Sequence, residues 1–161
     1  MSESTWKESF QILEQLKKNN NREWFEEHKT EFKKHQDFAK KIFQNVEMKM
    51  QSFDDISDMK MFRIYRDVRF SNDKTPYKTH FAAGFTRRKP ELRGGYYIHF
   101  EPENSFLATG FWNPEKDDLA RIRKEIELEG ERFSKIVQNK KLVTAWGNLQ
   151  GEELKTAPKG F

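Results

Sequence analysis

The spacing of apolar residues changes twice along this chain. Between residues 5 and 53 they recur every three or four positions, the period of helices with one buried face, and an Asn-rich break at 19–21 divides this region into two helices. Between about 60 and 112 they alternate with polar residues, as in half-buried strands. Helical spacing returns from 114 to 138. This order predicts an α+β domain.

The alternating region predicts a sheet of at least four strands. Their expected ranges are 60–69, 79–87, 95–101 and 105–112. Short connections between the later strands exclude crossovers, so the strands should be antiparallel. The helices before and after the sheet should pack on one of its faces.

Length and composition indicate one domain over residues 1–161. Hydrophobic residues are only 35%, but 14% of residues are aromatic, and large rings allow few residues to fill a core. The chain has no apolar run long enough for a transmembrane helix and no signal-peptide pattern at its start. It also has no Cys, which excludes disulfides, thiol catalysis and thiolate zinc sites. We therefore expect a cytoplasmic protein without a membrane partner.

The positive charge is concentrated in the central segment. The chain carries a net charge of +4, yet residues 60–99 alone hold 10 basic and 3 acidic residues, a net charge of +7. The regions before and after this segment sum to −2 and −1. A local field of this sign attracts an anionic partner, either a small molecule or a polymer.

The densest polar stretch, residues 63–80, predicts an anion pocket at a strand end. Arg binds phosphate or carboxylate through two parallel hydrogen bonds, and interleaved Asp side chains would hold the cations in place. The predicted anion contacts are Arg66, Arg69, Lys74 and Lys78. The alternative is a network of ion pairs that only fixes the loop after the first strand.

Groups able to transfer protons lie in the same stretch and on the third strand. The predicted catalytic residues are Asp67, Tyr77, His80 and His99. Tyr97, His99 and Glu101 share one strand face, which suits proton transfer, although a half-solvated face contains the same residue types. Small residues at 82, 84, 108 and 110 mark a close approach by a ligand or by a packed helix.

The function predicted from these features is binding of a phosphorylated or carboxylated small ligand, with turnover left open. The alternative is a nucleic-acid or protein interaction module that uses the basic surface of residues 60–99, with Tyr65, Tyr77 and Tyr97 as stacking platforms. Burial distinguishes them, because an enclosed Arg66 favours the pocket and a flat exposed basic face favours the module.

Arg66 breaks the alternation, since it lies at an apolar position between Ile64 and Val68. A buried guanidinium must meet an acceptor. Asp67 should point to the opposite face, so Asp73 or Glu101 is the better candidate partner.

No metal or cofactor is expected. The chain lacks the common nucleotide-binding, hydrolase and zinc-protease motifs. Its four His are dispersed, and no His, Asp or Glu cluster has the spacing of metal ligands. His28 and His35 should be surface residues of the second helix.

Four blocks of residues resemble a known family. They are Asn-Asn-Arg-Glu-Trp-Phe at 20–25, Arg66-Asp67-x-Arg69-Phe70-Ser71-x-Asp73-Lys74-x-Pro76-Tyr77-Lys78, Tyr96-Tyr97-x-His99 and Gly110-Phe-Trp112-x-Pro114. In this order they resemble the signature of a bacterial and fungal domain-of-unknown-function family, number 2461. The resemblance supports the predicted fold and domain extent but implies no particular activity. It also implies that a last helical portion should follow the segment Lys155 to Phe161.

Overall fold

The computed structural model describes residues 5–151, 154–158 and 160. Its elements are, in chain order, α1 (Trp6–Lys18), α2 (Arg22–Met50), β1 (Ile56–Met61), β2 (Phe81–Arg87), β3 (Gly95–Phe100), β4 (Phe106–Gly110), α3 (Lys116–Leu128), α4 (Gly130–Val137) and α5 (Lys140–Trp146). The strands form one antiparallel sheet in the order β1-β2-β3-β4. The predicted α+β class is therefore confirmed.

Polar side chains determine where the first two helices begin. Thr5 accepts a hydrogen bond from the backbone N–H of Glu8, whose carboxylate in turn accepts from the N–H of Thr5. Asn21 accepts from the N–H of Trp24 at the start of α2. These bonds satisfy N–H groups that have no partner within the helix, so the break predicted at 19–21 is confirmed.

The core lies between the two N-terminal helices and one face of the sheet. α2 contacts β1 and β2, and α1 packs on α2. The buried residues of the core are mostly aliphatic and aromatic: Ile12, Leu13, Leu16, Phe25, Phe32, Ala39, Phe43, Met50, Ile56, Ile64, Tyr77, Phe81, Ala83, Phe85 and Ile98. Alternate residues of β2 and β3 therefore face the helices, and the residues between them face the other way.

The first strand lies earlier than predicted, at Ile56–Met61 instead of 60–69. After Met61 the chain leaves the sheet and pairs locally with residues 76–78, since Arg66 N–H donates to the Pro76 carbonyl at 2.9 Å and Lys78 N–H to the Ile64 carbonyl at 2.8 Å. This short pairing buries Ile64 and exposes its neighbours, which produces the same alternation as a strand.

His35 is buried in α2, so its expected surface position is wrong. Its Nδ1 lies 3.1 Å from the hydroxyl of Ser9, which is buried in α1. Burial lowers the pKa of His35. The pair joins the two helices through one satisfied polar contact.

Asn20 attaches the turn between α1 and α2 to the loop that precedes β2. Its amide nitrogen donates to the Tyr77 carbonyl at 2.9 Å, and the Tyr77 N–H donates to its amide oxygen at 3.1 Å. The buried ring of Tyr77 stacks on Phe25 of α2, with centroids 4.0 Å apart. These contacts fix the backbone immediately before residues 78–80.

The chain divides into two compact units, Met1–Phe111 and Trp112–Phe161. The second unit contains α3, α4 and α5, which have no buried residue. A single domain over 1–161, with these helices packed on the sheet, stays a prediction, and the expected further helical portion lies outside the described residues. No helix in the described part of the chain is long and apolar enough to cross a membrane.

We expect Asn20→Ala to lower the free energy of unfolding by roughly 1–3 kcal/mol, because it leaves both polar backbone groups of Tyr77 without their partner. Asn72→Ala is the matched control, since Asn72 is exposed and its loss should change stability by less than about 0.5 kcal/mol. Urea unfolding measures both. Equal effects in the two variants would contradict the role given to Asn20.

Candidate functional site

One sheet face points away from α1 and α2, and we call it the histidine face. It consists of Ala82, Gly84, Tyr97, His99, Phe106 and Ala108. The strand register aligns these residues, since His99 pairs with Ala82 on one side and Phe106 on the other, and Tyr97 pairs with Gly84 and Ala108. The ring of Phe62 lies over Gly84 and packs edge-on against Tyr97.

Three potential metal ligands or proton carriers meet at one end of this face. His80, just before β2, and His99 of β3 have ring centroids 4.0 Å apart. Glu101 follows β3, and its Oε2 lies 3.3 Å from His99 Nε2. One ligand atom from each of the three residues lies within 4.8 Å of the other two. We call these three residues the histidine cluster.

A chain of hydrogen bonds runs through the cluster. The hydroxyl of Tyr97 lies 3.0 Å from His99 Nδ1, so in one tautomer the phenol donates to Nδ1 and Nε2–H donates to Glu101. Glu101 also accepts from Thr79 at 2.6 Å and from Asn104 at 2.9 Å. Burial acts to raise the pKa of Glu101, but the hydrogen bonds outweigh it and lower that pKa. Glu101 is therefore held as a carboxylate.

His80 is the least constrained group of the cluster. It is partly buried, and within the described part of the chain no hydrogen-bond partner faces its ring. Burial, followed by the neighbouring His99, lowers the pKa of His80 to about 4. The imidazole is thus neutral at pH 7, with a nitrogen lone pair free to accept a proton or to bind a metal.

Lys78 places a poorly compensated positive charge beside the cluster. Burial lowers the pKa of Lys78, and Arg63 and Arg66 lower it further. Its ammonium lies 5.4 Å from the ring centroid of Phe62. Among the residues that the structure describes, no carboxylate comes within ion-pair distance of it.

Arg66 forms an ion pair with Asp73, which confirms the predicted acceptor. It also donates to Thr75 Oγ1 at 2.6 Å, and its side chain is 29% exposed. The backbone N–H of Thr75, followed by Arg66, lowers the pKa of Asp73 to about 2. Arg66 is partly enclosed, as the pocket interpretation requires, but it lies in the loop and not on a strand face.

The charged residues of the loop at 67–74, which we call the basic loop, form hydrogen bonds within that loop. Arg69 donates to both carboxylate oxygens of Asp67, at 2.9 and 2.6 Å, and both side chains are exposed. Lys74 donates to the Val68 carbonyl at 3.0 Å. These hydrogen bonds do not reach the histidine cluster, and they match the structural alternative, a network that fixes the loop.

Tyr77 belongs to the core, where its ring stacks on Phe25 and burial raises its pKa. Tyr97 is partly buried and bonded to His99. Tyr65, at 47% exposed, is the most accessible of the three predicted stacking platforms. Two of these three phenols are therefore not arranged to stack on a polymer.

The structure thus brings together His80, His99 and Lys78 from the predicted site residues. It adds Glu101 and Tyr97, which the sequence had placed on one strand face with His99. The sequence predicted that no His, Asp or Glu residues are spaced as metal ligands, and this is wrong for His80, His99 and Glu101. Strand pairing brings these residues together although they are distant in sequence. Thr79 and Asn104 gave no signal in the sequence.

The chain belongs to the DUF2461 family, described as a conserved hypothetical protein, whose model matches residues 8–161. The resemblance seen in the four sequence blocks is therefore confirmed. Searches of curated proteins and of solved structures gave no match.

The lowered pKa of His80 predicts a specific pH dependence of stability. Between its ordinary pKa of 6.5 and about 4, the unfolded chain binds a proton there that the folded chain does not. The free energy of unfolding should therefore fall as the pH decreases through this window, with His80 contributing up to about 3 kcal/mol. His80→Gln should remove this contribution to the pH dependence of the free energy of unfolding.

Urea unfolding of parent and variant at several pH values between 7 and 4 measures this difference. Burial also lowers the pKa of His35, but His35 is present in both proteins, so its contribution cancels. Asn72→Ala, at an exposed residue that does not titrate, is the control and should retain the parent's pH dependence. The same slope in His80→Gln as in the parent would contradict the assignment.

Proposed function

We propose that this DUF2461 protein binds a small phosphorylated or carboxylated ligand on the histidine face, with Lys78 as its main anion contact. The observation that carries the proposal is the environment of Lys78, a partly buried ammonium near Arg63 and Arg66 without a carboxylate partner among the described residues. Partly buried charges that lack a counter-ion are costly. A ligand anion would supply the missing negative charge.

The surroundings of Lys78 support a small ligand. Ala82, Gly84 and Ala108 present only small side chains on this face, and the ring of Phe62 lies over Gly84. Phe62 and Phe106 border this area with aromatic surface, suited to an apolar part of the ligand. The combination of apolar surface and a few convergent polar groups is typical of small-molecule sites.

A groove of about 530 Å³ elsewhere on the same unit is a weaker candidate. It is lined by residues 51–56 and Arg88. Arg88 is already paired with Asp55 at 2.8 Å, and the adjacent Arg87 is paired with Asp54 at 2.9 Å. The cations near this groove are neutralised by protein carboxylates, so an anion gains less there than at Lys78.

His80 is the group best placed to react with a bound ligand in this proposal. Its neutral imidazole can accept a proton from a ligand held by Lys78, as a general base does. The Tyr97–His99–Glu101 chain lies beside it, with the ring centroids of His80 and His99 4.0 Å apart. Turnover would therefore be a proton-transfer reaction on an anionic substrate.

The proposal predicts a ligand-dependent rise in melting temperature, because a ligand that binds only the folded state stabilises it. The probes are ribose 5-phosphate, AMP, citrate and a short single-stranded RNA, each added in the presence of EDTA. At least one small anion should stabilise the parent. Lys78→Met should raise the dissociation constant of that anion, measured by calorimetry, by about tenfold or more.

Lys74→Met is the matched control, because it removes the same charge from the exposed loop and should leave the affinity nearly unchanged. Without ligand, Lys78→Met should unfold at a higher temperature than the parent, since binding sites are built at a cost in stability. Equal losses of affinity in the two variants would contradict the proposal. Stabilisation by RNA alone would favour the interaction module instead.

A further inference from the structure

We propose that His80, His99 and Glu101 form a binding site for a divalent first-row transition metal ion. One ligand atom from each residue lies within 4.8 Å of the other two. Bonds of about 2.0–2.2 Å to a shared ion would place such atoms roughly 3–4 Å apart. Small side-chain rotations would therefore complete the site, which goes beyond the anion site proposed above. A bound ion would occupy the lone pair of His80, so metal binding and the proton transfer proposed above are alternative uses of this group.

Two of the three ligands are held in the state that a metal requires. His80 has no hydrogen-bond partner in the described part of the chain, so a ring nitrogen is available to an ion. Glu101 is fixed by Thr79 and Asn104, which leave lone pairs on both of its oxygens. Metal-binding carboxylates are typically oriented by hydrogen bonds of this kind.

Tyr97 orients the third ligand. Its hydroxyl lies 3.0 Å from His99 Nδ1 and can rotate from donating to accepting a hydrogen bond. In the metal-bound form the His99 proton would lie on Nδ1 and be donated to Tyr97, which leaves Nε2 free for the ion. The ion would then replace the long 3.3 Å contact between Nε2 and Glu101. The change moves one proton within the ring and releases none.

The donor set selects the class of metal. Two imidazoles and one carboxylate suit Zn²⁺, Fe²⁺ and Co²⁺, whereas Mg²⁺ and Ca²⁺ prefer oxygen ligands alone. Three protein ligands leave coordination positions for water or a substrate, as in catalytic metal sites. Phe106 stacks on His99 at 4.7 Å and is 46% exposed, so the site lies near the surface.

The neighbouring cations give the metal site a distinctive property. The positive charges of Lys78 and Arg66 act at the position of His80, and a positive charge there opposes a bound cation. Removal of the Lys78 charge should therefore strengthen metal binding, while it weakens the proposed anion binding. These opposite signs separate the two proposals from each other and from general damage to the fold.

The test is a titration of untagged, metal-free protein with Co²⁺ alone, followed by visible absorption and by calorimetry. We expect one Co²⁺ per chain. His80→Gln and Glu101→Gln should each raise the dissociation constant for Co²⁺ by more than about 100-fold, which exceeds the effect of substituting a residue that only hydrogen-bonds to a ligand. Tyr97→Phe, a substitution of that second kind, should raise it by about tenfold. Lys78→Met should bind Co²⁺ more tightly than the parent.

His28→Gln is the matched control, because it removes a histidine of α2 outside the cluster and should leave the affinity unchanged. Urea unfolding confirms that each variant is folded. Absence of saturable Co²⁺ binding by the parent would overturn the proposal. So would an unchanged affinity in His80→Gln or Glu101→Gln, and so would loss of binding in His28→Gln.

Discussion

The paired hydrogen bonds between Asn20 and the backbone of Tyr77 position the groups that could act chemically. They join the turn between α1 and α2 to the loop before β2, and the stack of Tyr77 on Phe25 strengthens this attachment. Lys78 and His80 follow within three residues, and β2 begins immediately afterwards. The pairing of β2 with β3 then places His80 beside His99.

Burial disfavours the charged form of two neighbouring side chains, Lys78 and His80. It lowers the pKa of both Lys78 and His80, because a partly buried site stabilises a positive charge less well than water does. Stability alone would favour a neutral or paired group at either position. Perturbed groups of this kind cluster at functional sites, since the free energy lost in folding can be recovered when a ligand binds.

The sequence allowed three of the four strands to be predicted closely: the apolar faces of β2 and β3 follow the alternation, and β4 follows the turn after β3. The first strand was misplaced, since a two-residue pairing around Ile64 produces the same pattern. The partner of Arg66 could be predicted because an enclosed guanidinium needs an acceptor nearby. The histidine cluster could not, because it depends on the register between two strands, which residue spacing does not encode.

In the proposed function, ligands bind the histidine face and not the exposed basic loop at 67–74. Chemical-shift mapping by NMR during titration with ribose 5-phosphate tests this directly, since amide and imidazole signals report which residues contact the probe. We expect changes centred on Lys78, His80, Gly84 and Tyr97. Changes centred on Arg69 and Lys74 would contradict it.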